Sequence, residues 1–114
     1  MRFVRLYLAS IIILFTFLSC SEFLSSGGLI ATPYDGQTVK GIQTIVISPA
    51  DDVLVDSIYL YINFQLEKTF TTAPYQYEWD TTLLTNGWCT ISVELYDQLG
   101  GYPVTDAIQV KVEN

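Results

Sequence analysis

From Leu29 onward, hydrophobic and polar positions alternate with a period of two, the spacing of strands that bury one face and show the other to water. Ser57 to Asn63 sets Ile58, Leu60 and Ile62 against Tyr59 and Tyr61. Trp88 to Tyr96 sets Cys89, Ile91, Val93 and Leu95 against Trp88, Thr90, Ser92, Glu94 and Tyr96. Ala107 to Val112 places Ile108, Val110 and Val112 opposite Gln109 and Lys111. Between such runs stand Asp35-Gly36, Asp51-Asp52, Asn63-Phe64, Asn86-Gly87 and Gly100-Gly101, residue pairs that turn a chain. The pattern predicts strands at about 29–32, 42–48, 57–63, 66–71, 75–79, 88–97 and 104–112. No window of this stretch carries a helical period. One-sided strands of this kind bury their apolar faces as two sheets packed over a single core.

Short strands with turn signals this closely spaced, in a stretch of under about 100 residues, predict an all-β fold, a seven-stranded immunoglobulin-like β-sandwich. The residues between the strands also carry a resemblance. Thr32-Pro33-Tyr34-Asp35-Gly36-Gln37-Thr38-Val39 is similar to the opening of bacterial Ig-like domains. Asp51-Asp52-Val53 followed by Ser57-Ile58-Tyr59-Leu60-Tyr61-Ile62 resembles their next segment. The nearest likeness is Thr72-Ala73-Pro74-Tyr75-Gln76-Tyr77-Glu78-Trp79-Asp80-Thr81, followed in order by Asn86-Gly87, Tyr96-Asp97 and Gly100. The resemblance implies the sandwich and an accessory, non-catalytic role, and it turns Tyr75, Tyr77 and Trp79 inward. Phe64 stands where that family usually has a hairpin glycine, and Leu54 where it has another. Asn63 tolerates a left-handed backbone, so the expected result is a strained turn.

Ahead of the strands the pattern changes. Arg2 and Arg5 precede Leu6–Leu18, thirteen residues without a charge, and Ser19-Cys20 follows. A basic start, an apolar run and a small residue before a cut describe a secretory signal. The run is shorter than the ~20 apolar residues a spanning helix needs. Phe17-Leu18-Ser19-Cys20 resembles the lipobox of bacterial lipoproteins, with Phe17 where leucine is usual. That resemblance implies a cleaved signal helix over 1–19, lipidation of Cys20 and a tether over 20–28 ahead of a domain at 29–114. Ser21 to Gly28, ending Ser-Ser-Gly-Gly, would reach about 26 Å when extended. With Cys20 lipidated, Cys89 has no partner for a disulfide, and the domain is expected to stand on its core alone.

Charge narrows the function classes. Beyond Cys20 only Lys40, Lys68 and Lys111 face twelve acidic residues, a formal charge of −9. Nucleic acid, which is bound by cations that neutralise phosphates, is not an expected partner. There is no histidine, so histidine-based triads and histidine-ligated zinc sites are excluded.

Three groups of side chains merit a functional reading. Asp51, Asp52 and Asp56, with Asp97 from a later strand, are weak calcium candidates, lacking the spacing of a calcium loop; acidic turn residues more commonly cap backbone N–H groups. No catalytic residues, metal site or cofactor are expected. Cys89 shares parity with Ile91 and Val93 and reads as a small buried hydrophobe. Tyr59, Tyr61, Trp88 and Tyr96 point away from the core on two strands that neighbour each other in an immunoglobulin-like sheet. They form a candidate binding face, or else cross-strand pairs that only stabilise the sheet.

The expectation is a lipid-anchored, non-catalytic module of a bacterial cell envelope with an adhesion, scaffolding or protein-interaction role. The alternative is a carbohydrate-binding module working from the aromatic face. The partners would be a membrane through the lipid anchor and an envelope protein or polysaccharide. The outer membrane or cell surface is the expected location rather than the inner membrane.

Overall fold

A computed structural model describes residues 28–114; the expected signal peptide, Cys20 and all of the tether before Gly28 lie outside the described residues. Eight strands follow: β1 (Ile30–Thr32), β2 (Thr38–Val39), β3 (Ile42–Ile47), β4 (Val55–Ile62), β5 (Gln65–Phe70), β6 (Gln76–Asp80), β7 (Gly87–Asp97) and β8 (Val104–Val112). A single 3-10 turn, Thr81–Leu83, links β6 to β7. The strands form a three-stranded sheet ordered β1-β3-β6 and a five-stranded sheet ordered β2-β8-β7-β4-β5.

The five-stranded sheet grows from the strongest alternation in the sequence. Cys89, Ile91, Val93 and Leu95 of β7 are buried, as are Ile58, Leu60 and Ile62 of β4 and Ile108, Val110 and Val112 of β8. Antiparallel register sets Leu60 opposite Val93 and Ile91 opposite Ile108. The inner faces therefore meet as aliphatic rows. The smaller sheet contributes fewer groups, chiefly Ile45, Ile47 and Trp79. Each large side chain buried this way contributes roughly 1.5–3 kcal/mol by area.

The structure adds one strand to the seven expected. β2 holds only two residues and pairs parallel to β8 through Thr38↔Lys111 and Val39↔Val112. Two residues are too few for alternation to register, although Val39 is fully packed in the core. Trp79 is buried as expected, whereas Tyr75 and Tyr77 are only partly buried against the core. Phenols placed at the rim keep their hydroxyls within reach of partners: the Tyr77 hydroxyl donates to Glu67 Oε1 at 3.1 Å. Tyr75 packs edge-on against Phe70, with ring centroids 5.9 Å apart.

The strands give the sandwich two ends. At one lie Leu29, the β3–β4 loop and the β7–β8 loop. At the other lie the β4–β5 hairpin turn, the 3-10 turn and the start of β7. The eleven residues of β7 run between them, about 36 Å at strand rise.

Candidate recognition surfaces

The outer face of the five-stranded sheet carries the aromatic residues singled out by parity. Register places Tyr59 opposite Glu94, Tyr61 opposite Ser92 and Tyr96 opposite Ser57. Tyr59 and Tyr96 meet edge to face, with centroids 5.6 Å apart and planes at 88°. The Tyr61 hydroxyl donates to Glu94 Oε1 at 3.2 Å. Its pKa lies above the ordinary phenol value, chiefly through desolvation and then through the Glu94 carboxylate. The structure thus brings Tyr59, Tyr61 and Tyr96 together. Trp88 shares their face but not their patch. It lies opposite Lys111, four residues from Ser92, about 13 Å along the strand.

A fourth member of the patch went unread in the sequence. Leu66 sits opposite Tyr61 because the β4–β5 register shifts between Leu60 and Tyr61. Strict alternation from buried Phe70 would have turned Leu66 inward; the bulge sends it out to the tyrosines.

The carboxylates do not converge. Asp51 and Asp52 are exposed at the β3–β4 turn, and Asp97 Oδ1 accepts the Leu99 N–H at 2.9 Å. Among the described residues no three His, Cys, Asp or Glu side chains gather as metal ligands. Asp106, which no motif marked, holds two backbone N–H groups of a distant segment. Its Oδ2 accepts the N–H groups of Leu29 and Ile30 at 2.8 and 3.0 Å. Cys89 is buried and unpaired. Burial pushes its thiol pKa up, and a hydrogen bond with the Asn63 side chain opposes this.

The β4–β5 turn is the other unusual surface. Asn63 and Phe64 link Ile62 to Gln65, and both take positive φ, 50° and 68°. This two-residue, doubly left-handed turn fits the strand twist, and its preferred sequence is Asn-Gly. Asn63 fills its place well: its side-chain Oδ1 accepts the Thr90 N–H at 3.0 Å, and its own N–H donates to the Thr90 carbonyl. Phe64 has no such compensation, and it is 78% exposed. Ile42, Leu83 and Trp88 are exposed at the same end. Beside the turn, a cleft of about 340 Å³ opens between β5 and β6, walled by Tyr77, Leu83 and Leu84 among others.

A three-stranded and a five-stranded sheet packed over one core, antiparallel except where β2 meets β8, define an immunoglobulin-like β-sandwich module. The family model of the bacterial Ig domain matches residues 29–93, more than half of the 114 residues, and the chain belongs to that family. The match stops within β7; β8 then completes the sheet. No curated protein matches the chain. Among solved structures it is similar to the fibronectin(III)-like modules of CbhA from Clostridium thermocellum. That likeness has a TM-score of 0.56 at 19% identity, over 74% of this chain and 93% of that one. It is also similar to part of the endo-beta-1,4-mannanase from Thermotoga petrophila, with a TM-score of 0.54 at 20% identity. There the likeness covers 75% of this chain but 19% of the mannanase. Both likenesses speak for the fold.

Proposed function

We propose that this chain is a lipid-anchored, non-catalytic module of a bacterial envelope that presents the hairpin end of its sandwich to a protein partner. Phe64 carries the proposal. A bulky side chain in the left-handed region costs roughly 1–2 kcal/mol, and here the ring is left mostly in water. Neither the turn nor the core needs it, so its natural use is contact with something outside the domain. Leu83, Trp88 and Ile42 extend an apolar surface around the same end, of the composition that protein interfaces favour.

Cys20 and its flanking residues support the anchor, and Ser21 rather than an aspartate directly after Cys20 supports placement at the outer membrane or cell surface. A fatty-acid probe should label the full-length protein and fail to label Cys20→Ala. The partner contact is tested with a photo-crosslinking residue at position 64 in living cells, against one at Tyr34, which is also well exposed. The expected result is a discrete adduct from position 64 alone. No adduct, or the same smear from both positions, sinks the reading.

The second reading is carbohydrate binding on the tyrosine face. It is favoured by the grouping of Tyr59, Tyr61, Tyr96 and Leu66 beside the acceptor Glu94. The edge-on Tyr59–Tyr96 pair weighs against it, because stacking on a sugar needs an open ring face. Affinity electrophoresis through soluble polysaccharides, with Tyr61→Ala as control, decides it: unretarded migration of the unaltered protein in every gel removes this reading.

A further inference from the structure

The end at which the described chain begins is fixed rather than frayed. Leu29 is buried, its N–H and that of Ile30 are held by Asp106, and its carbonyl accepts the Ser48 N–H at 2.8 Å. The segment leading back to Cys20 therefore leaves the domain from a set point. Eight residues lie between Cys20 and Leu29, so the nine steps from one to the other reach at most about 30 Å.

Two loops flank that point, and their exposed residues have a distinct chemistry. Leu99 and Tyr102 of the β7–β8 loop are 86% and 97% exposed. Between them Gly100 and Gly101 take φ of +87° and +97°, the glycine-specific reversal that forms the loop tip. Leu54 and Val104 are exposed beside it. The loops are tied together: Gln98 donates its N–H to the Leu54 carbonyl at 2.8 Å and its Nε2 to the Val55 carbonyl at 3.1 Å. Leucine and tyrosine on a tied loop suit the boundary between headgroups and acyl chains, where amphipathic rings collect.

We infer that this end of the sandwich rests on the bilayer, with Leu99 and Tyr102 in its interfacial layer, so that the Phe64 end faces outward. The inference rests on the reading that Cys20 carries lipid. Exposed apolar residues alone do not single out this end, since the hairpin end has as many. The exit point of the chain does. Asp51 and Asp52 of the neighbouring loop repel anionic headgroups, so the surface that fits is a zwitterionic one, with hydrophobic rather than charged contact.

Spin labelling of the full-length, lipid-bearing protein in vesicles of phosphatidylethanolamine and phosphatidylcholine tests this. Leu99→Cys, Tyr102→Cys, Phe64→Cys and Leu83→Cys each give one accessible thiol, because Cys89 is buried and Cys20 is acylated. At positions 99 and 102, collision with oxygen should exceed collision with a water-soluble nickel chelate; at 64 and 83 the order should reverse. If the protein floats with vesicles yet all four labels favour the nickel chelate, the bilayer contact is wrong and the anchor stands. If fatty-acid labelling shows no lipid on Cys20, both fall together.

Discussion

Where the chain enters, the left-handed turn falls on Gly100 and Gly101, and the first strand is held by the Asp106 carboxylate. At the opposite end, positive φ falls on Asn63 and Phe64. The first end uses the residue types that such geometry permits without strain. The second keeps a phenylalanine where glycine would fit better and leaves its ring exposed. Local stability accounts for the entry end. It does not account for the hairpin end, and that difference points to recognition there.

The comparison breaks most completely at the core beneath the hairpin end. Trp79 is buried and helps wall the cleft there. Trp79→Ala should cost roughly 3–5 kcal/mol, a large share of the 5–15 kcal/mol typical of a folded domain. Thermal unfolding of the form beginning at Ser21 measures it; a melting point equal to that of the unaltered protein would remove Trp79 from the core account.

At the entry end the expected loss is smaller. Asp106→Ala removes two charge-assisted hydrogen bonds from a half-exposed site and should cost roughly 1–3 kcal/mol. The effect should be local, with faster amide hydrogen exchange at Leu29 and Ile30 and little change in β7. Equal acceleration throughout would show that Asp106 supports the whole fold rather than the exit point.

Alkaline pH should weaken the domain more gently. Cys89 and Tyr77 both have folded-state pKa values pushed up, each chiefly by desolvation. A raised folded pKa means that the native state holds its proton after the unfolded chain has released it. Stability is then fully present below the unfolded values, near 8.5 for the thiol and 10 for the phenol, and declines as pH climbs past them. Cys89→Ala should flatten the first part of that decline in denaturant titrations at pH 8 to 10. A slope unchanged by this substitution would assign the decline to other groups.

Much of this fold was legible because one face of each long strand is buried. A slip of one residue in β4, β7 or β8 would expose a whole apolar row, so parity alone fixed their inner and outer faces. A turn at Asn63-Phe64 was legible too, since Asn63 tolerates a left-handed backbone. Its two-residue length was not, because the pattern ends one strand at 63 and resumes at 66, whereas the strands close at Ile62 and Gln65. What parity cannot give is distance along a strand. It placed Trp88 with Tyr59, Tyr61 and Tyr96 on one face, yet Trp88 stands well away from their patch. It cannot anticipate a bulge either, which is how Leu66 joined the tyrosines. The Asp106 clamp was invisible because it joins residues 77 apart in the sequence, with no local pattern to announce it.

The Phe64 turn remains the most direct point of test. Phe64→Gly restores the preferred Asn-Gly turn and relieves the left-handed strain, against the entropy that glycine adds to the unfolded chain. The net expectation is a gain of about 1 kcal/mol, a rise in melting temperature of roughly 4–8 °C for a domain of this size. A more stable variant means that the native phenylalanine is kept at the expense of stability, as a recognition residue would be. A melting point lowered by the substitution would mean that Phe64 supports the fold, and would contradict the account.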